Sequence, residues 1–162
     1  MSGAKSVVIG LGNRLRGDDA VGLEVARLLR NRAPSVRALE HEREPSDLIE
    51  LWAGTDTAIV VDALEGTEPG RIRRLEAGLA ELRDRRPSSA STHALALGEV
   101  IELARALDRL PHRLVLFGIE GTRFETGTDL SPPVRQAAEK AVELILAELG
   151  DDAPTATTHP AA

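Results

Sequence analysis

The 162-residue chain contains no cysteine, and only 2% of its residues are aromatic. Without cysteine, disulfides, thiolate zinc sites and cysteine nucleophiles are excluded, and a reducing cytoplasm is the expected location. The shortage of aromatic rings leaves Leu, Val, Ile and Ala to fill the interior, and at 42% hydrophobic residues the chain has enough of them to be globular. No stretch approaches the roughly 18 to 20 apolar residues of a membrane span. Residues 1–6 lead straight into Val7-Val8-Ile9 without the charged and then apolar pattern of a signal peptide. Cationic residues are the minority, 20 against 26 acidic ones, for a net charge of −6. That balance argues against nucleic acid as a partner, because duplexes select basic faces. A Gly-x-Ser-x-Gly elbow, a His-Glu-x-x-His helix and an Asp-Thr-Gly or Asp-Ser-Gly dyad segment are also absent, so serine hydrolase, zincin and aspartic protease dyad readings lack their motifs.

What is present alternates between strand and helix signals. Residues 6–9 form a short β-branched run ended by glycine and read as a buried strand. A helix follows, with Val21, Val25, Leu28 and Leu29 inward and Asp18 or Asp19 as its cap. Residues 36–40 form a weaker strand. Pro45 opens a helix that carries Trp52, a packing residue, and Gly54 stops it. Residues 57–61 give the strongest strand signal, residues 65–70 a polar turn and residues 71–75 an added, exposed strand. A charged surface loop is expected at 78–90, with Arg83, Arg85 and Arg86 solvated. A helix over 92–107 uses Leu95, Val100, Leu103 and Leu107 as apolar positions, and a strand covers 114–119. Pro132 and Pro133 open the last helix, which Gly150 ends. The expected fold is therefore α/β, a three-layer α/β/α sandwich around a twisted, mostly parallel sheet of about five strands. One domain spans 1–150, and a Thr-, Ala- and Pro-rich tail at 151–162 is expected to be disordered.

Three segments carry the candidate chemistry. They are Gly10-Leu11-Gly12-Asn13 running into Gly17-Asp18-Asp19-Ala20-Val21-Gly22, then Val61-Asp62-Ala63, then Ser91-Thr92-His93. In a parallel sheet, loops at the carboxyl ends of strands share one rim. Two carboxylates and an imidazole converging there form an oxygen and nitrogen donor set suited to a divalent metal. Each signal has a plainer reading. An aspartate before a helix is a cap, one after a strand is a turn starter, and a histidine in a first helical turn is a surface residue. The Gly10-x-Gly12 pair invites a dinucleotide reading, but the third glycine of that fingerprint is replaced by Leu15. Asp18 and Asp19 would also repel a pyrophosphate. His41 at the end of the second strand reads as structural, while His112 lies in a basic turn and His159 in the tail.

These segments, in this order and spacing, resemble the [NiFe]-hydrogenase maturation endopeptidases from Val7 to about Leu149. Leu130-Ser131-Pro132 likewise looks like that family's entry to its last helix. The resemblance implies an α/β/α sandwich that removes a short carboxyl-terminal extension from a hydrogenase large-subunit precursor after nickel insertion. It places the nickel ligands, and with them the catalytic role, on Asp19, Asp62 and His93, with the nickel ion presented by the substrate. Asp18 takes the neighbouring position as cap or supporting group. Many members of that family carry an Asp-Gly-Gly-Thr-like segment after the second strand, thought to shape the cleft. Here that place reads Glu40-His41-Glu42-Arg43-Glu44-Pro45, bulkier and charged. A non-catalytic metal- or nucleotide-sensing module on the same scaffold is the alternative. The sequence does not specify which large subunit is the partner, the scissile bond, or whether the protein acts as a monomer.

Overall fold

The computed structural model describes the backbone of residues 5–76 and 92–152, with side chains over 5–76 and 97–150. The surface loop expected at 78–90, Ser91, the side chains of Thr92, His93 and Leu95, and the tail from 153 onward with His159 lie outside the described residues.

Five strands form one sheet: β1 (Ser6–Leu11), β2 (Ala38–His41), β3 (Thr57–Glu65), β4 (Ile72–Glu76) and β5 (Arg113–Gly121). Their spatial order is β2-β1-β3-β5-β4, and every neighbour pair is parallel except β4 with β5. The helices are α1 (Val21–Arg32), α2 (Leu48–Leu51), α3 (Thr92–Ala106) and α4 (Pro132–Asp152). Alternation along the strands assigns the two faces. Ile59, Val61 and Ala63 of β3 join the core built with Val25 and Leu29 of α1 and Val142 and Ile145 of α4. Ala58 and Val60 join the core on the other side, with Leu48 and Trp52 near α2 and Leu97, Ile101 and Ala104 of α3. This is the expected three-layer sandwich. Trp52 is buried as a packing residue, and its indole N–H is satisfied by the Arg109 carbonyl at 2.9 Å.

Several local expectations are corrected. Neither Asp18 nor Asp19 caps α1, whose cap position is Ala20 and carries no side-chain bond. Strand β3 does not end at Val61, because β5 continues beside it and pairs residue by residue to Glu65 with Gly121. Leu103 of α3 and Leu107, just beyond its end at Ala106, are about half exposed, since the buried stripe runs through Leu97, Val100, Ile101 and Ala104. Gly150 does not stop α4, which continues to Asp152. The edge strand β4 does run antiparallel where an added strand was expected, and its Arg73, Arg74 and Glu76 keep that edge charged.

That edge is tied to α4 by four charges. Arg74 bonds Glu148 and Glu76, and Arg113 of β5 bonds the same two carboxylates. Hydrogen bonds first from Arg74 and then from Arg113 hold the Glu148 and Glu76 carboxyls below the usual glutamate range. A carboxyl whose folded pKa is depressed stabilises fully above its unfolded value and loses that contribution as pH falls through the folded value. Urea midpoints measured from pH 6 downward are therefore expected to fall below about pH 4.3, the ordinary glutamate value. A Glu148→Gln variant should show a shallower acid limb, and an identical limb would assign the acid sensitivity elsewhere.

Candidate active site

The chain leaves β1 through α1 to β2 on one side, while β3 lies on the other side of β1. The loops following β1 and β3 thus part at the carboxyl ends of the strands, which is where open α/β sheets bind their ligands. Gly10 and Gly22 bring α1 down onto this point. A Cβ on Gly10 would lie 1.9 Å from the Gly22 carbonyl oxygen, and one on Gly22 would lie 2.2 Å from the Leu11 oxygen and 2.5 Å from the Val61 oxygen. The glycine pattern is therefore a helix-on-strand contact that tolerates no side chain.

Asp62 is the first residue of β3 beyond its last pair with β1, Gly10 with Val61. It is 6% exposed, shares the α2 and α3 face of the sheet with Val60, and accepts a 2.8 Å bond from the Ala63 N–H. Asp19 sits in the single 3-10 turn Gly17–Ala20, which packs against β3. It is also 6% exposed, with the Arg16 guanidinium 3.9 Å from its Oδ2. Two buried aspartates thus flank the switch point. His93 is the second residue of α3, on the sheet face that Asp62 shares, and its side chain lies outside the described residues. Among the described side chains no group of three or more His, Asp or Glu gathers closely enough to hold a metal ion. Carboxylate with imidazole remains a donor chemistry that suits a divalent cation.

Asp18 is fully buried and faces away from any capping role. Its Oδ2 accepts the N–H groups of Thr122 and Arg123, both at 3.0 Å, and its Oδ1 accepts the Ser131 N–H at 2.7 Å. The Ser131 hydroxyl reaches both oxygens, at 2.9 and 3.0 Å. Every partner is a donor, as an acceptor-only carboxylate requires. Gly121 makes room for it, because a Cβ there would stand 2.6 Å from that of Asp18.

The charged segment after β2 folds onto the β1 loop. Glu42 accepts both the backbone N–H of Arg14 at 3.0 Å and its Nε at 2.9 Å. The Arg14 backbone bond is the main cause of the lowered Glu42 pKa. His41 Nε2 lies 3.0 Å from the Glu44 carbonyl and 3.2 Å from an Asp47 carboxylate oxygen, consistent with a structural role. His112 is exposed in the turn before β5.

Glu120 was not singled out in the sequence. It is buried near the end of β5, and Arg73 Nε donates to it at 3.0 Å. The readable signal was an acid within the apolar run Leu114-Val115-Leu116-Phe117-Gly118-Ile119-Glu120, with arginines at 71 and 73 to meet it. A buried carboxylate needs such partners.

An open α/β sheet with paired acids at its switch point belongs to the class of α/β proteins that act at the carboxyl rim of the sheet. The comparisons narrow the class. The model of the hydrogenase maturation protease family matches residues 25–148, and the chain belongs to that family. It is 28% identical to the hydrogenase 2 maturation protease of Escherichia coli over 148 residues, covering 88% of this chain and 89% of that one. Its fold is similar to the E. coli hydrogenase maturating endopeptidase HybD, with TM-score 0.75, 26% identity, and coverage of 91% and 93% of the two chains. It is also similar to the [NiFe] hydrogenase maturation protease HycI of Thermococcus kodakarensis, with TM-score 0.72, 28% identity and the same coverages.

Proposed function

We propose that this protein is the endopeptidase that removes the carboxyl-terminal extension from a nickel-loaded [NiFe]-hydrogenase large-subunit precursor. The observation that carries the reading is the pair of buried aspartates, Asp19 and Asp62, at the switch point of a sheet in this family. In this reading Asp19, Asp62 and His93 receive nickel that arrives on the precursor, so the metal is part of the substrate. Two unprotonated carboxylates about 5 Å apart repel by roughly 3 kcal/mol at an effective dielectric near 20. A divalent cation between such groups removes that repulsion, and so a nickel-loaded precursor is preferred over an empty one. Both aspartates sit on backbone fixed by sheet or turn hydrogen bonds, so the precursor's cation and its neighbouring peptide meet a prepared wall. The Arg14–Glu42 pair makes one side of the entrance charged, a feature we assign to selection among large subunits. The proposed setting is the cytoplasm; among the described residues no helix is long and apolar enough to cross a membrane.

The direct test is mass spectrometry of candidate large subunits, nickel-loaded and nickel-free, with and without this protein. Loss of a carboxyl-terminal peptide only from the loaded form is expected, and equal cleavage of both forms would remove nickel from the reading. A second measurement addresses the free protein. At about 100 times its dissociation constant a bound cation adds roughly 2.7 kcal/mol, which is about 5 to 10 °C in melting temperature at this size. Thermal scans with nickel, zinc and cadmium are expected to show such a rise. A flat scan would mean that the site is completed only on the substrate.

A further inference from the structure

The sequence offered two unrelated motifs, Gly17-Asp18-Asp19 before the first long helix and Leu130-Ser131-Pro132 before the last. The structure joins them through Asp18 and Ser131, buried at 0% and 6% exposure. Around that bond the loops after β1 and β5 are stitched together. The Asp18 N–H donates to the Arg123 carbonyl at 2.6 Å, Gly17 N–H to Thr128 at 3.1 Å, and Gly127 N–H to Leu15 at 2.7 Å. Arg16 Nε donates to the Phe124 carbonyl at 3.2 Å.

The neighbouring residue, Asp19, has its backbone held at both ends. Its N–H donates to the Arg16 carbonyl at 3.1 Å, and its carbonyl accepts from Asn13 at 3.2 Å. In a turn of four residues the direction of one Cα–Cβ bond follows from the placement of its neighbours. With Asp18 anchored by three backbone amides and a hydroxyl, Asp19 has no freedom to swing by rotation of the turn.

We propose that Ser131 and Asp18 are positioning residues for peptide cleavage: their bond fixes the turn that aims the Asp19 carboxylate, and the loop after β5 is thereby built into the site. The proposal rests on the reading of Asp19 as a site residue. It assigns to Ser131, which touches no reacting group, an effect on turnover and not on substrate binding.

The test uses the full chain, a nickel-loaded precursor that the wild type cleaves, and four variants. Ser131→Ala removes one hydrogen bond to a carboxylate and is expected to lower kcat about tenfold with KM unchanged, the size of one charge-assisted bond. In the free variant, amide hydrogen exchange at Asp19, Thr122 and Arg123 is expected to quicken about tenfold, as a local opening of that free energy would produce. Ser131→Thr keeps the hydroxyl and should restore both readings. Val142→Ala, in the core against α1, serves as a control that loses stability without touching the bond, and it should keep wild-type kcat. Wild-type kcat in Ser131→Ala, or an equal loss in Val142→Ala, would overturn the positioning role. Asp19→Asn separates the two readings. If it is inactive while Ser131→Ala is normal, only the positioning role falls. If Asp19→Asn itself cleaves normally, the site assignment falls and the positioning role with it.

Discussion

An Asp62→Ala variant is expected to leave the precursor's extension uncut while folding as the wild type does. The backbone at Asp62 is fixed by strand pairing on the β5 side, where it lies opposite Gly118, so the sheet does not depend on the carboxylate. The side chain accepts a bond from the adjacent Ala63 N–H, within its own strand. In the proposed site two like charges repel, and removing one of them relieves that repulsion in the empty protein. The melting temperature is expected to stay within about 3 °C of wild type, on the order of 1 kcal/mol at this size. A variant that melts much lower yet processes precursor at the normal rate would make Asp62 structural and would take the catalytic reading with it.

Asp18→Ala should do the opposite and strike stability first. Three backbone N–H groups and the Ser131 hydroxyl lose their acceptor in a fully buried place. Buried donors left unsatisfied cost about 1 to 3 kcal/mol each, partly relieved where water enters. A net loss of roughly 3 to 5 kcal/mol is expected, about 10 °C in melting temperature. Asp18→Asn keeps one acceptor oxygen but sets an amide NH2 against donors, so an intermediate loss is expected. Chemical denaturation of the three proteins measures the series, and an Asp18→Ala variant as stable as wild type would contradict the hydrogen-bond account.

The contrast between these two aspartates shows what the sequence could and could not disclose. Strands β1 and β3 are β-branched apolar runs, and their burial follows from composition alone. The position of Asp62 at the rim followed from them, although β3 runs on past it because its partner β5 does. The sequence leaves Asp18 between cap and supporting group because capping is a local pattern, whereas its acceptor role is completed by residues 122, 123 and 131. No local signal marks a partner more than a hundred residues away. Leu103 and Leu107 were misplaced for a related reason. Residues 97, 100, 101 and 104 offer an equally good helical stripe, and only the sheet beneath decides between the two phases. Glu120 was legible in principle, as an acid in an apolar strand, and its partner Arg73 lies on the strand expected at 71–75, but only the antiparallel pairing of that strand with β5 joins the two.

The distance that hid the Asp18 contacts also orders events in time. Asp18 is synthesised well before its partners, since its acceptor oxygens are met by groups 104 to 113 positions later. Closing a loop of about 100 residues costs roughly 4 kcal/mol of chain entropy beyond a constant, and topologies dominated by such contacts fold slowly. The Asp18 bonds beside Asp19 therefore form only once residues 122–131 are in place. A growing chain holds Asp18, Asp19 and Asp62 long before it holds the donors that fix Asp18, and so the turn beside Asp19 is completed only after the chain has been made through residue 131.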